Sequence, residues 1–148
     1  MSAMAPVFAQ FNLVVSDMEA TVGFYRLLGL VIPDADPPWE AWQLHHRAAD
    51  FGGFKLEFDS IAFASRWSAG WPTDRAKGGM SVLGFSLPTR DAVDSLFEAV
   101  VSAGYRPQQP PYDSFWGSRY AIVEDPDGNA VGLMSPPEDG MRRPTELP

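Results

Sequence analysis

Glu57 sits in the alternating stretch Leu56–Glu57–Phe58, which turns its carboxylate away from two apolar neighbours if the stretch is a strand. The chain has two histidines, His45 and His46, and both precede the segment Asp50-Phe51-Gly52-Gly53, which reads as a hairpin turn. A four-residue loop pairs Ala49 with Phe54 and therefore sets His46 opposite Glu57. An imidazole beside a carboxylate can move protons in general acid–base chemistry. Glu57 and His46 are thus the candidate catalytic residues. The same pair is also what a polar contact on an exposed strand looks like, so catalysis stays open.

A second group of residues is suited to binding. Tyr112, Phe115 and Trp116 share a segment with Pro110, Pro111, Asp113 and Gly117. An aromatic loop of this kind can line a pocket mouth and stack on a planar ligand, or it can pack into a core or a dimer interface. Trp42 stands at the matching strand entry earlier in the chain. Arg119 can bind an acidic group on a ligand or form a salt bridge. Gln10 and Asn12 alternate with Phe11, Leu13 and Val15, so they face away from the apolar side of their strand. Gln10, Asn12, Trp42, Glu57, Tyr112, Phe115, Trp116 and Arg119 form the candidate ligand-binding set.

The totals narrow the partners. The chain has 148 residues, 45% of them hydrophobic, and a formal charge of −8. Such an acidic chain is poorly suited to nucleic acid, whose phosphates need a basic face. No apolar run approaches the length of a membrane span. The absence of cysteine rules out disulfides, thiolate metal sites and cysteine nucleophiles, and fits a reducing cytoplasm. Met1 to Pro6 shows no basic, then apolar, leader pattern.

The elements that must position these residues come in two similar runs. Phe8–Val15 reads as a strand, and Ser16 with Glu19 as a capping box. Met18, Val22, Tyr25 and Leu28 then recur at helical spacing up to Gly29. Residues 31–41, rich in proline, suit a turn or an edge strand. Trp42–Arg47 and Phe54–Phe58 read as strands. A linker over about 60–79 includes a short helical piece, Ile61–Trp67. The pattern then restarts: a strand at Ser81–Leu87, a helix at Thr89–Ala103, and strands at Ser118–Glu124 and Ala130–Met134. Pro107, Pro110 and Pro111 mirror the earlier proline-rich stretch. Pro136–Pro148 reads as a polar, proline-rich, loose tail. Asp50–Phe58 also aligns without gaps on Asp125–Leu133, with Gly53 matching Gly128.

The segments Val14-Val15-Ser16-Asp17-Met18-Glu19 and Gly23-Phe24-Tyr25-Arg26, with the closing run from Arg119 to Asn129, resemble the vicinal-oxygen-chelate superfamily of glyoxalase I, bleomycin-resistance proteins and extradiol dioxygenases. The resemblance spans roughly residues 8–135. It implies an α+β fold of two tandem βαβββ modules. Each module is a curved, mixed four-stranded sheet with a helix on its convex face, and the concave faces share a pocket. The single domain then covers 1–135, with half 1 at about 7–59, half 2 at about 80–135, and 136–148 as the tail. A homodimer is implied too.

In metal-dependent members four strand positions carry the ligands. Carried over, they fall on Gln10, Glu57, Val82 and Gly132. Val82 and Gly132 offer no side-chain donor, so the expectation is no metal and no other cofactor. The resemblance is then nearest to the metal-independent bleomycin-resistance-like branch. The expected function is binding of a planar or aromatic organic ligand. The alternatives are a lyase, isomerase or dioxygenase-like enzyme with a non-standard site around Glu57 and His46, and a subunit whose pocket supports only oligomerisation.

Overall fold

The computed structural model describes residues 10–35, 40–68 and 81–143. The expected strand residues Phe8 and Ala9, the proline-rich 36–39, the linker over 69–80 and the tail over 144–148 lie outside that set. The chain divides into two compact units, Met1–Arg75 and Ala76–Pro148.

The first unit runs β1 (Gln10–Val15), α1 (Met18–Leu27), a 3-10 turn (Glu40–Trp42), β2 (His46–Asp50), β3 (Lys55–Ser60) and α2 (Ile61–Trp67). Its sheet has the order β1-β3-β2, with β1 parallel and β2 antiparallel to β3. Leu13, Val15, Leu56 and Phe58 turn to one face and are buried with Met18, Val22, Phe24 and Tyr25 of α1. The Tyr25 and Phe58 rings lie 5.1 Å apart. Fully burying a side chain such as Phe58 contributes about 1.5–3 kcal/mol, so this apolar face sets which residues point the other way. The helix is capped by Asp17, whose side chain accepts from the Ala20 N–H at 3.0 Å. Asp17, not the expected Ser16, is therefore the cap.

Three strands, not four, form this sheet among the described residues. The segment Val31–Ala35 carries no strand. Arginine side chains take the carbonyls a ladder would use: Arg26 donates to the Ile32 carbonyl at 3.2 Å and Arg47 to the Pro33 carbonyl at 3.0 Å. Both arginines also pair with Asp34, at 3.1 and 2.9 Å, and Arg26 above all holds the Asp34 carboxyl below its ordinary range.

The second unit runs β4 (Val82–Ser86), α3 (Arg90–Ser102), β5 (Pro107–Asp113), β6 (Arg119–Glu124), β7 (Ala130–Met134) and a 3-10 turn (Asp139–Met141). The sheet order is β4-β7-β6-β5, with β4 parallel to β7 and the other pairs antiparallel. Val93, Phe97 and Val100 of α3 are buried together with Ala121, Val123, Val131 and Leu133. Pro107, Pro110 and Pro111 belong to β5, an edge strand whose pairing with β6 shifts register twice. An edge tolerates proline because one side of the strand has no ladder to supply.

The tail is not loose as far as Arg143. The Glu138 N–H donates to the Gly117 carbonyl at 3.0 Å, and the Arg143 N–H to the Phe115 carbonyl at 2.9 Å. Arg143 Nη2 reaches the Asp113 carbonyl at 2.7 Å. Among the described residues no helix is long and apolar enough to cross a membrane.

Candidate functional site

The face of the first sheet turned away from α1 gathers five polar side chains. Asn12 on β1 lies beside Glu57 on β3, and Asp59 follows Glu57 on the same face. The Asn12 amide donates to both carboxylates, to Glu57 at 3.0 Å and to Asp59 at 2.8 Å. Gln10 Nε2 donates to Glu57 at 3.1 Å and to Asn12 Oδ1 at 2.8 Å. His46 Nδ1 meets Asp59 Oδ1 at 2.6 Å.

The hairpin register decides that last contact. Ala49 pairs with Leu56 and Asp50 with Lys55, so His46 stands opposite Asp59, and Ala48 stands opposite Glu57. The turn comprises residues 51–54, closed by the Phe51 N–H on the Phe54 carbonyl at 2.7 Å and the Gly53 N–H on Asp50 Oδ1 at 2.9 Å. The expected His46–Glu57 pairing is therefore corrected by two residues. A two-residue slip keeps every side chain on its face, so His46 and Glu57 still share one.

Asp59 is 1% exposed, which explains its pull on the imidazole. The hydrogen bond to Asp59 raises the His46 pKa above its ordinary value, against the opposing effect of burial. Ser60 ends β3 and caps α2 by accepting from the Phe63 N–H at 3.0 Å. That cap brings the Phe63 ring to 5.8 Å from His46. Gln10, Asn12, His46, Glu57, Asp59 and Phe63 line a cleft of about 310 Å³. Such a cleft can orient a polar ligand or exchange protons through His46.

The corresponding face of the second sheet is aromatic. Tyr120 alternates with the buried Ala121, so its ring lies on the face away from α3. Trp116 packs edge-on against it at 5.3 Å, Tyr112 at 6.2 Å, and Phe115 meets Trp116 at 5.1 Å. The Trp116 indole N–H points to the Met134 sulfur at 3.3 Å. Burial, with a smaller contribution from Tyr112, raises the Tyr120 pKa. A β-carbon at Gly132 would lie 3.0 Å from the Tyr120 hydroxyl and 3.2 Å from Val82, so the tyrosine tip fills that space. Gly84 meets nothing within 4 Å and leaves its position open. The turn carrying Phe115 and Trp116 depends on Gly117, which has φ +97°, and its missing β-carbon would lie 2.5 Å from the Glu138 carbonyl oxygen.

The expected residues thus fall into separate groups. Gln10, Asn12, Glu57 and His46 come together in the first unit. Tyr112, Phe115 and Trp116 come together in the second, with Tyr112 on a strand and not in a loop. Trp42 lies in a 3-10 turn instead of at a strand start, and its ring packs edge-on against Phe63 at 5.4 Å. Arg119 faces α3, where it binds Asp94 at 2.8 Å and Asp113 at 3.2 Å. It is on the opposite sheet face from Tyr120. Asp59, Phe63, Tyr120 and Met134 were not anticipated. Asp59 and Tyr120 had a signal in the alternation, because each lies on the same strand face as a residue already singled out or facing one. Phe63 had none, since its position depends on how α2 leaves β3.

The sheet registers test the metal ligands that the fold family uses. Gln10 pairs with Lys55 in the first sheet, and Val82 pairs with Ala130 in the second. Asn12 beside Glu57 corresponds in the same way to Gly84 beside Gly132. The second unit therefore offers no donor at the matching positions, and the four-residue set does not fit a divalent ion. Within the first unit alone, His46, Glu57 and Asp59 can each turn one ligand atom to within 4.8 Å of the others. Those atoms are already engaged with one another and with the two amides, His46 with Asp59 and the carboxylates with Gln10 and Asn12.

The comparisons agree with this fold. The family model for the Glyoxalase/Bleomycin resistance protein/Dioxygenase superfamily matches residues 7–133. The chain belongs to that superfamily. Among solved structures it is similar to a glyoxalase-related enzyme from Fulvimarina pelagi, with 22% identity, a TM-score of 0.72 and 86% of each chain covered. A glyoxalase/bleomycin resistance protein/dioxygenase family enzyme from Burkholderia phytofirmans PsJN has 21% identity and a TM-score of 0.72, covering 86% of this chain and 97% of that one. Lactoylglutathione lyase from Agrobacterium tumefaciens has 20% identity and a TM-score of 0.62, covering 89% and 95%. At these identities the likeness concerns the fold. No curated protein matches the sequence.

Proposed function

We propose that this chain is a small-molecule-binding member of the superfamily, on its bleomycin-resistance-like side, that works without the four-ligand metal centre. Its ligand is a planar or aromatic organic molecule held by stacking and apolar burial. The observation that carries this reading is Tyr120 filling the space above Gly132, where a metal-dependent relative would need a donor. An aromatic wall built of Tyr112, Phe115, Trp116 and Tyr120 stands in place of a ligand set. A ring stacked on such a wall gains about 0.5–1.5 kcal/mol beyond its buried area. Arg119 is held by Asp94 and Asp113 on the opposite face of the second sheet and supplies no charge to this wall. In the first unit, the carboxylates of the cleft beside Glu57 favour a neutral or cationic group. A homodimer, implied by the resemblance, and a cytoplasmic setting, consistent with the lack of cysteine, belong to the same proposal.

A thermal-shift screen of planar compounds tests it, since a ligand bound only by the native state raises apparent stability. For a validated ligand, Trp116→Ala weakens binding by about tenfold, equivalent to 1.4 kcal/mol, while Glu57→Gln changes it less. One observation favours a second reading. Asp59 holds His46 in a fixed orientation beside Glu57, which is the arrangement of an acid–base enzyme of the lyase or isomerase kind. A silent Trp116→Ala with binding or turnover abolished by Glu57→Gln would favour that reading over the first.

A further inference from the structure

The first unit carries a second cleft on the other side of Phe63. It measures about 530 Å³ and is lined by Ala41, Trp42, His45, Ala62, Phe63 and Arg66. That volume lies within the usual range for small-molecule sites. Its walls are apolar and fixed. Trp42 and Phe63 meet at 85° with centroids 5.4 Å apart, and Trp42 remains 45% exposed. Local hydrogen bonds hold the rim: the His45 N–H donates to the Trp42 carbonyl at 2.8 Å, and His45 Nδ1 meets Ser60 Oγ at 2.9 Å.

The charge in this cleft differs from that of the polar cluster beyond Phe63. Among the described residues no carboxylate lines it, and Arg66, from the last turn of α2, does. Among the described arginines, six are held in ion pairs: Arg26, Arg47, Arg90, Arg106, Arg119 and Arg142. Arg143 is held by backbone carbonyls. Arg66 alone among them has neither kind of partner. In a chain of net charge −8, an exposed, unpaired guanidinium beside two aromatic rings is a specific arrangement.

We propose that this cleft binds a planar aromatic carboxylate, its ring against Trp42 and Phe63 and its carboxylate on Arg66. The guanidinium fork matches a carboxylate bidentately, and the aromatic walls supply the buried area. An organic cation is excluded by the same Arg66 charge, the reverse of the preference beside Glu57.

The test uses the full chain with three isosteric probes: 1-naphthoate, 1-naphthalenemethanol and 1-naphthylmethylammonium. Calorimetry gives the affinities, and assigned indole N–H resonances locate the probe. Naphthoate binds with one equivalent and shifts the Trp42 indole resonance but not that of Trp116. The ammonium probe binds at least about tenfold more weakly, and Arg66→Gln lowers naphthoate affinity by about tenfold while leaving the alcohol unchanged. Trp42→Leu weakens both naphthoate and the alcohol. Urea midpoints of the variants check that they remain folded. Absence of naphthoate binding, equal affinity for all three probes, or an Arg66→Gln variant that binds naphthoate as well as the parent overturns the site. Shifts confined to Trp116 also overturn it, and would leave the reading based on the second unit's aromatic wall standing.

Discussion

The two units present the same sheet positions with opposite chemistry. Where the first has Gln10, Asn12, Glu57 and Asp59, the second has Val82, Gly84, Gly132 and Met134. His46 stands opposite Asp59, and Tyr120 stands opposite Met134. One face is therefore organised by hydrogen bonds among amides, carboxylates and an imidazole, and the other by ring packing around glycine. Strand register is common to both because each must bury its other face against a helix. The residues of the opposite face are under no such demand and differ between the two units. A shared scaffold thus says little about chemistry, which rests on a few outward positions.

The largest effect is expected where the aromatic face is anchored. Gly117→Ala forces a β-carbon against the Glu138 carbonyl at a φ that side chains rarely adopt. A loss of about 3 kcal/mol follows from backbone strain plus overpacking, measured by urea unfolding. A neutral Gly117→Ala would mean that the tail does not brace the turn. Next comes Asp59→Ala, which removes the buried partner of His46 and Asn12 and costs about 2 kcal/mol. If its urea midpoint matches the parent, the polar face is not held together as described.

A smaller effect concerns pH. The His46 pKa is raised mainly by the Asp59 hydrogen bond. Its stabilisation is fully present below the ordinary value of 6.5 and is lost as pH rises through the elevated folded value. Urea midpoints taken from pH 5.5 to 8.5 should show a decline that His46→Gln flattens; an identical profile in the variant would remove His46 as its source. The smallest effect is on metal removal. Chelation should change neither the unfolding midpoint nor ligand binding, because the second face supplies no donor to complete the four-ligand set. One equivalent of tightly held transition metal in purified protein would place the chemistry on the His46, Glu57 and Asp59 cluster instead.

Much of the scaffold was legible in local patterns. Alternation placed Gln10, Asn12 and Glu57 on one face, helical spacing marked Met18, Val22 and Tyr25 as buried, and the repeat aligned Gly53 with Gly128, which share positive φ at +102° and +81°. These features depend on strand and helix periods and on backbone sterics, all written in short stretches of chain. The tertiary structure decided matters that rest on contacts between distant residues. The turn over 51–54 set His46 opposite Asp59, since register depends on where a loop closes and not on alternation. Alternation puts Arg119 on the helix face with Ala121 and Val123, but the partner that holds it there, Asp94, lies far from it in sequence. The Ser60 cap directed α2 so that Phe63 came to divide two clefts, a direction no periodicity encodes. Tyr120 took the space of a side chain that Gly132 lacks, because packing fills the nearest void with whatever ring can reach it.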